Sequence, residues 1–339
     1  MKISNKFLLA ASVGLGAFFT ARFIRKRNPY NFEGKVVLIT GGSRGLGLAM
    51  ARKLAEEGAK VAICARDQDE VFRAQAQLEN ISPEIFGVPA DITDRTQANR
   101  MIKAVRERFG DIDVLINNAG IIQIGPYNTM TIEDYEDAMA THFWAPLYTI
   151  LAVVPKMRDL RTGRIVNISS IGGKVSVPHL LPYSASKFAL TGLSEGLRAE
   201  LKKEGIVVTT VSPGLLRTGS SRNIDVKGQH EEEYNWFSVS GSLPFTSMNV
   251  ESAAEKIIDG CRYGDAEVIL SIPAKVAAAV HGVFPGLTSV LLSGINKMLP
   301  DSGQQGALEK RKGYESESAI SQSFLTDPNK RAAEDNNEI

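Results

Sequence analysis

Tyr183 and Lys187 stand four residues apart at the start of a helical period, which puts both side chains on one face of a helix. A phenol ordinarily keeps its proton up to a pH of about 10, and an ammonium beside it favours the phenolate, so such a pair can work as general acid and base near neutrality. Ser170 lies upstream, where an apolar run ends, and its hydroxyl could hold a substrate oxygen. Taken alone, the Tyr and Lys also fit a solvated helix face, and Ser169-Ser170 a loop after a strand.

A second chemistry resides in Lys35 to Gly47, KVVLITGGSRGLG. Val36 to Ile39 form a short apolar, largely β-branched run, the pattern of a strand buried on both faces. Thr40, Gly41, Gly45 and Gly47 follow, and then Leu46, Ala49, Met50, Leu54 and Ala55 recur at helical spacing up to Glu57-Gly58. Glycines let the backbone bend tightly and approach a pyrophosphate, and free amides at the helix start supply positive partial charge. The predicted ligand is a dinucleotide. A bare structural turn remains the alternative for these glycines read in isolation.

Positioning these groups takes a layered α/β framework. Further strands are predicted at Lys60 to Cys64, Glu84 to Pro89, Val114 to Asn117, Arg164 to Ile168, Ile206 to Val211 and Glu267 to Ser271. Helices are predicted at Asp67 to Asn80, Asp94 to Phe109, Thr131 to Leu160 with a bend near Pro146, and Pro182 to Glu204. Strands alternating with helices of this length predict a doubly wound parallel sheet with right-handed crossovers. Gly214 to Asn249 shows no sustained period and reads as a lid or a disordered insertion.

The 339 residues, 43% of them hydrophobic, suffice for one large α/β domain with appendages. A net charge of +1 argues against nucleic acid as the main partner. Cys64 and Cys261 lack metal or redox spacing and read as reduced packing residues. Phe7 to Ala21 is apolar or small, with Lys2 and Lys6 before it and Arg22, Arg25, Lys26 and Arg27 after it. We read this as an uncleaved membrane anchor that leaves the following domain on the cytoplasmic side, a cleaved signal peptide being the alternative. The organisation predicted is anchor and linker over 1–33, catalytic domain over 34–272, apolar extension over 273–300, and a polar, disordered tail over 301–339. The apolar extension could be core helices, a membrane-facing surface or the wall of a greasy pocket.

In combination the motifs resemble the classical short-chain dehydrogenase/reductases, a Rossmann-type α/β family. The resemblance covers Gly34 to Ser271 and rests on TGGSRGLG at 40 to 47, Asn117-Asn118-Ala119-Gly120, the Ser170 to Tyr183 spacing, YSASK at 183 to 187, and Pro213-Gly214. It implies that Tyr183 exchanges the proton at the carbonyl or alcohol oxygen, that Lys187 holds the nicotinamide ribose and lowers the tyrosine pKa, and that Ser170 orients the substrate. Asn117 would support the central sheet. It further implies cofactor contacts at Thr40, Gly41, Ser43, Arg44, Gly45, Leu46, Gly47, Asp91, Ile92, Asn118, Ala119, Gly120, Pro213, Gly214 and Thr218, besides Tyr183 and Lys187. Many family members carry an asparagine in the helix before the fifth strand, within a relay from the lysine to water. Here His142 stands at that place, either as a substitute in the relay or as a core histidine with the relay lost.

At the end of the second strand a carboxylate would grip a ribose hydroxyl, whereas an arginine accommodates a phosphate. Arg66, with Arg44 in the turn, therefore favours NADP(H) over NAD(H), against the contrary signal of Asp67, whose position fits a helix cap. No metal is expected. The substrate predicted is a lipophilic ketone or alcohol reached from the membrane, and the resemblance implies pairing of two copies through the helices at Thr131 to Leu160 and Pro182 to Glu204. The competing readings are a nucleotide-binding sensor or scaffold without turnover, and a related epimerase.

Overall fold

The computed structural model describes residues 29–243, 246–303, 306–323 and 326–338. The N-terminal apolar segment lies outside them. Seven parallel strands make the central sheet: β1 (Val36–Thr40), β2 (Lys60–Ala65), β3 (Ile85–Pro89), β4 (Val114–Asn117), β5 (Gly163–Ile168), β6 (Ile206–Ser212) and β7 (Glu267–Ile269), in the spatial order β7-β6-β5-β4-β1-β2-β3. Every residue of β1 and of β4 is buried, as their unbroken apolar runs require. The order reverses between β1 and β4, and ligands of such sheets bind in the crevice outside the strand ends at that point.

Helices cover both faces. The first is α1 (Gly45–Glu56), followed by α2 (Gln68–Glu79), α3 (Arg95–Phe109), α4 (Ile132–Met139), α5 (Ala145–Leu160), α6 (Leu181–Leu201), α7 (His230–Ser242) and α8 (Val250–Tyr263). Val37, Ile39 and Ile63 pack with Leu48, Leu54, Leu78, Ala253 and Ile257, which places α1, α2 and α8 on one face. Leu38, Leu115 and Ile165 pack with Met101, Val105, Ile150, Val153 and Leu201, which places α3, α5 and α6 on the other. Cys64 and Cys261 are buried and free.

The stretch predicted as one bent helix is two helices joined by a π-helical turn, Ala140–Trp144, and the irregularity falls at His142 rather than at Pro146, which sits in the first turn of α5. Ile132–Leu160 is the one candidate among the described residues long and apolar enough to cross a membrane. It is a core helix here, burying His142, Ala145, Ile150, Val153 and Met157 against the sheet.

Two expectations need correction, and one of the three alternatives for the apolar extension, core helices, drops out. Segment 214–249 carries α7, a short parallel pair (Leu215–Arg217 with Ser247–Asn249) and a two-residue strand, Asp225–Val226. Its acidic and small residues conceal the helix, which buries Tyr234, Phe237 and Ser238. The apolar stretch after β7 is no core element: α9 (Ile272–Val283) and α10 (Pro285–Asn296) bury only Ala274 and Thr288 between them. The tail read as disordered is folded along its described part. Arg311–Lys312 pairs with Asp225–Val226, and α11 (Asp327–Asp335) packs on α7. Ion pairs such as Arg222–Glu317 and hydrogen bonds such as Asn329 Nδ2 to Ser242 Oγ hold it, so low apolar content misled the reading.

Candidate active site

Thr40 ends β1, and its Oγ accepts from the Asn118 and Ala119 amides at 3.0 and 3.2 Å. Asn118 Nδ2 answers by donating to the carbonyls of Thr40 and Gly41 at 3.1 and 2.9 Å. The two strand ends that flank the order reversal are therefore tied to one another. Gly41 has φ +62°, and a Cβ there would lie 2.7 Å from Ala119 Cα. A Cβ on Gly47 would sit on the Gly41 carbonyl oxygen and 2.6 Å from Asn118 Nδ2. The turn is thus a cradle that only glycine backbone can line, with the start of α1 opening onto it, and it fits a pyrophosphate.

Behind it, buried polar side chains bind the sheet to the helices. Asn117 Nδ2 donates to Asn167 Oδ1 at 2.9 Å, and Thr149 Oγ of α5 donates to Asn117 Oδ1 at 2.7 Å. Asn167 Nδ2 in turn donates to Ser194 Oγ of α6 at 3.0 Å. This fixes α6 against β5, and α6 carries Tyr183 and Lys187 in its first two turns.

Ser170, just beyond β5, has an extended backbone and its Oγ accepts from the Gly172 amide at 3.0 Å. Its hydroxyl is also within hydrogen-bonding reach of the Tyr183 phenol. Lys187 Nζ lies 5.6 Å from the Tyr183 ring centroid and donates to the Ile168 carbonyl at 2.8 Å. The sequence therefore brings Ser170, Tyr183 and Lys187 together at the carboxyl ends of the strands.

His142 completes the group. Its Nε2 accepts from the Ile121 amide at 3.1 Å, so in the neutral ring Nδ1 carries the proton and donates to Ser186 Oγ at 2.8 Å. Ser186 then donates to the Tyr183 carbonyl at 2.8 Å, and the imidazole meets the phenol ring edge-on at 5.4 Å between centroids. Both ring nitrogens are engaged by protein groups, and neither contacts Lys187. In this arrangement His142 tethers the start of α6 to the loop that follows Gly120.

Burial dominates the electrostatics. It holds the Tyr183 phenol above its ordinary value, with the Ser170 hydroxyl pulling partly back, and it lowers Lys187 from 10.5 to about 7. His142 is held well below 6.5 by burial and then by the neighbouring Lys187. The tuning inferred from sequence, an ammonium lowering the phenol, is outweighed here by desolvation of both groups.

These directions fix a pH dependence of stability. Because the unfolded chain binds protons that folded His142 and Lys187 resist, stability rises with pH up to 6.5 for His142, and between about 7 and 10.5 for Lys187. Cys64 and Cys261, pushed by burial from 9 up to about 12, act with the opposite sign above pH 9, since the folded chain then keeps protons that the unfolded chain loses. The Glu338 carboxyl, raised by burial from 4.5 to about 7, offsets the His142 gain below pH 7, so the melting temperature should climb from about pH 7 to about 8.5 and turn over above about 9. Lys187→Met should flatten the limb above pH 7 and leave the turnover; equal limbs in both proteins would exclude the lysine as its source.

The remaining predicted residues are more dispersed. Asp91 accepts from Thr93 through both its amide (3.0 Å) and its hydroxyl (2.7 Å), and Ile92 beside it is buried. The Pro213 carbonyl accepts from the Ile171 amide at 2.8 Å, a Cβ on Gly214 would lie 2.9 Å from Ser271 Oγ, and Thr218 is buried against Ser220. Leu46 packs against the core. Arg66 is exposed, and Arg44 Nη1 donates to Glu70 Oε1 at 2.9 Å while Ser43 Oγ donates to Glu70 Oε2 at 3.2 Å. Glu70 was not foreseen; it sits one turn past Asp67, which caps α2 as expected. Also unforeseen is a buried pair, His179 Nδ1 to Glu233 Oε1 at 2.8 Å, whose other carboxylate oxygen accepts from Trp236 Nε1. No metal-binding cluster occurs among the described residues.

A family model described as short chain dehydrogenase matches residues 35–228. The chain belongs to the short-chain dehydrogenase family. A relative from Anopheles gambiae, "Dehydrogenase/reductase SDR family protein 7-like", is 36% identical over 227 residues, covering 65% of this chain and 71% of its own. Among solved structures, a short-chain dehydrogenase from Streptomyces avermitilis has a TM-score of 0.67 at 28% identity, covering 78% of this chain and 98% of its own. An actinorhodin polyketide ketoreductase variant, solved with NADPH, has a TM-score of 0.62 at 29% identity, covering 70% and 95%. The short-chain dehydrogenase described here is accordingly an NAD(P)-dependent oxidoreductase.

Proposed function

We propose that this dehydrogenase uses NADPH to reduce a lipophilic ketone to a secondary alcohol, with Tyr183 delivering the proton to the carbonyl oxygen. The observation that carries this reading is the half-buried phenol itself: desolvation keeps it protonated, Ser170 lies within its reach, and Tyr183 packs, with Ile122, Val177 and Trp236, against an apolar cluster that includes Leu180 and Phe237. The bound nicotinamide would supply the hydride to the carbonyl carbon. Ser170 would hold the substrate oxygen, Lys187 would feel the developing charge on the phenol, and the apolar cluster would exclude water.

NADP(H) is favoured by Arg44 in the turn and Arg66 at the end of β2, two guanidiniums that suit phosphate oxygens. Access from a membrane is supported by α9 and α10, where Ile272, Val276, Val283, Phe284, Val290 and Leu291 are more than half exposed. Residues 272–299 include Lys275 and Lys297 and no Asp or Glu, which suits an anionic lipid surface. Together with the basic flank after the N-terminal apolar segment, this favours a catalytic domain held at the cytoplasmic face of a membrane. Exposed Trp144, Leu151 and Phe188 favour pairing of two copies.

The test is NADPH consumption by full-length protein in vesicles containing anionic lipid, against long-chain and polycyclic ketones and small polar carbonyls. Turnover confined to the lipophilic panel is expected, with NADH at least about tenfold poorer in kcat/KM. Preference for polar carbonyls would overturn the substrate class, and binding of NADPH without consumption on any panel would favour a sensor.

A further inference from the structure

The donors that would hold a dinucleotide's phosphates already serve another part of the chain. The Gly45 amide, at the mouth of the cradle, donates to the Asn336 carbonyl at 2.9 Å. Arg44 Nε lies 3.5 Å from Glu338 Oε2, which also accepts from Asn223 Nδ2 at 2.6 Å. Asn337 Nδ2 donates to the Ser43 carbonyl at 2.9 Å, and Arg52 Nη1 to Asn336 Oδ1 at 3.1 Å. A Cβ on Gly45 would lie 2.7 Å from Glu338 Oε1, so the carboxylate occupies the close approach that the glycine leaves open.

We propose that segment 327–338 is an internal competitor for the cofactor's phosphates and must leave the glycine turn before the dinucleotide can bind. The inference rests on the reading of this turn as the dinucleotide site. A carbonyl and a carboxylate present the same acceptor chemistry as phosphate oxygens, and one Gly45 N–H cannot serve both in full. The segment is also built to leave. Ala333 is its one buried apolar side chain, beside Gly219, and the rest of its hold is polar, exchangeable for water at modest cost. Burial raises the Glu338 carboxyl to about 7 despite Arg44, so this side chain is poorly solvated where it docks.

The experiment uses the full chain. NADPH and 2′,5′-ADP are titrated calorimetrically into the parent, into Asn337→Ala/Glu338→Ala, and into Ala333→Arg, which should dislodge the segment by bulk. Both variants should bind each probe about tenfold more tightly, since affinity is reduced by the fraction of closed molecules. Hydrogen exchange over residues 327–338 of the parent should speed up on adding NADPH. Equal affinities with unchanged exchange would overturn the competitor alone. Weaker binding in both variants with slower exchange would overturn it in favour of a segment that forms part of the cradle. Absence of binding in all three proteins would remove the dinucleotide site, and the proposal with it.

Discussion

Tyr183→Phe should lower kcat/KM for ketone reduction about a thousandfold, within the range by which a positioned general acid contributes to proton transfer. The substitution removes one hydroxyl and keeps the ring, which meets His142 edge-on and lies against Gly172, where an added Cβ would be 3.1 Å from Tyr183 Cε1. The start of α6 stays anchored through the Tyr183 carbonyl, which accepts from Ser186 whichever side chain follows. Loss of turnover in a protein of unchanged melting temperature would therefore report the proton and nothing else. The proton-retaining phenol is in the form that donates to a carbonyl oxygen at neutral pH, the form that reduction uses. Activity within about tenfold of the parent would transfer the acid role elsewhere.

Gly47→Ala should be nearly as damaging, for a steric reason. The new methyl would land on the Gly41 carbonyl oxygen, and the nearest relief, Asn118 Nδ2, is itself holding that carbonyl. Neither neighbour can swing aside without opening the tie between β1 and β4. Overpacking of this kind costs about 3 kcal/mol at the upper end of its usual range, and dinucleotide affinity should fall by at least about a hundredfold. Gly192→Ala in α6 is the control, since a Cβ there meets nothing within 4 Å and should stabilise the helix by about 0.5–1 kcal/mol. Thermal unfolding and NADPH titration of both variants decide the matter; a Gly47→Ala protein with parental values in each would mean the turn has room for a methyl group beside the Gly41 carbonyl.

Six of the seven strands and the Ser170, Tyr183 and Lys187 cluster were legible in the sequence closely because local signals and tertiary demands agree there. Parallel strands covered on both faces must be continuously apolar, and a turn that approaches a phosphate must be glycine. The seventh, β7, was legible only in outline, ending at Ile269 rather than Ser271. Where the signals part, reading failed. The chain over 301–339 has few large apolar residues, and the order of its described part comes from pairing with Asp225–Val226 and from polar contacts to residues hundreds of positions earlier, such as Asn337 with Ser43. In α7, Glu233 is buried by virtue of His179 and Trp236, partners that no periodicity announces. The π turn at His142 adds a residue to a helix whose sequence gives no break, and the protonation of Tyr183 and Lys187 follows from a depth of burial that spacing does not measure.

The packing of α1 against α8 has a consequence for how the chain is made. Arg52 of α1 pairs with Glu251 of α8, the Tyr30 amide donates to the Arg262 carbonyl, and Leu48 and Leu54 share a core with Ala253 and Ile257. During synthesis, the apolar stripe of α1 therefore waits through some two hundred residues of translation, about ten to forty seconds at ordinary elongation rates, before its cover exists. The face closed by α3 and α5 needs no such delay. Nascent chains stalled before α8 should thus be captured by holdase chaperones through the first helix, and those stalled after it should be released.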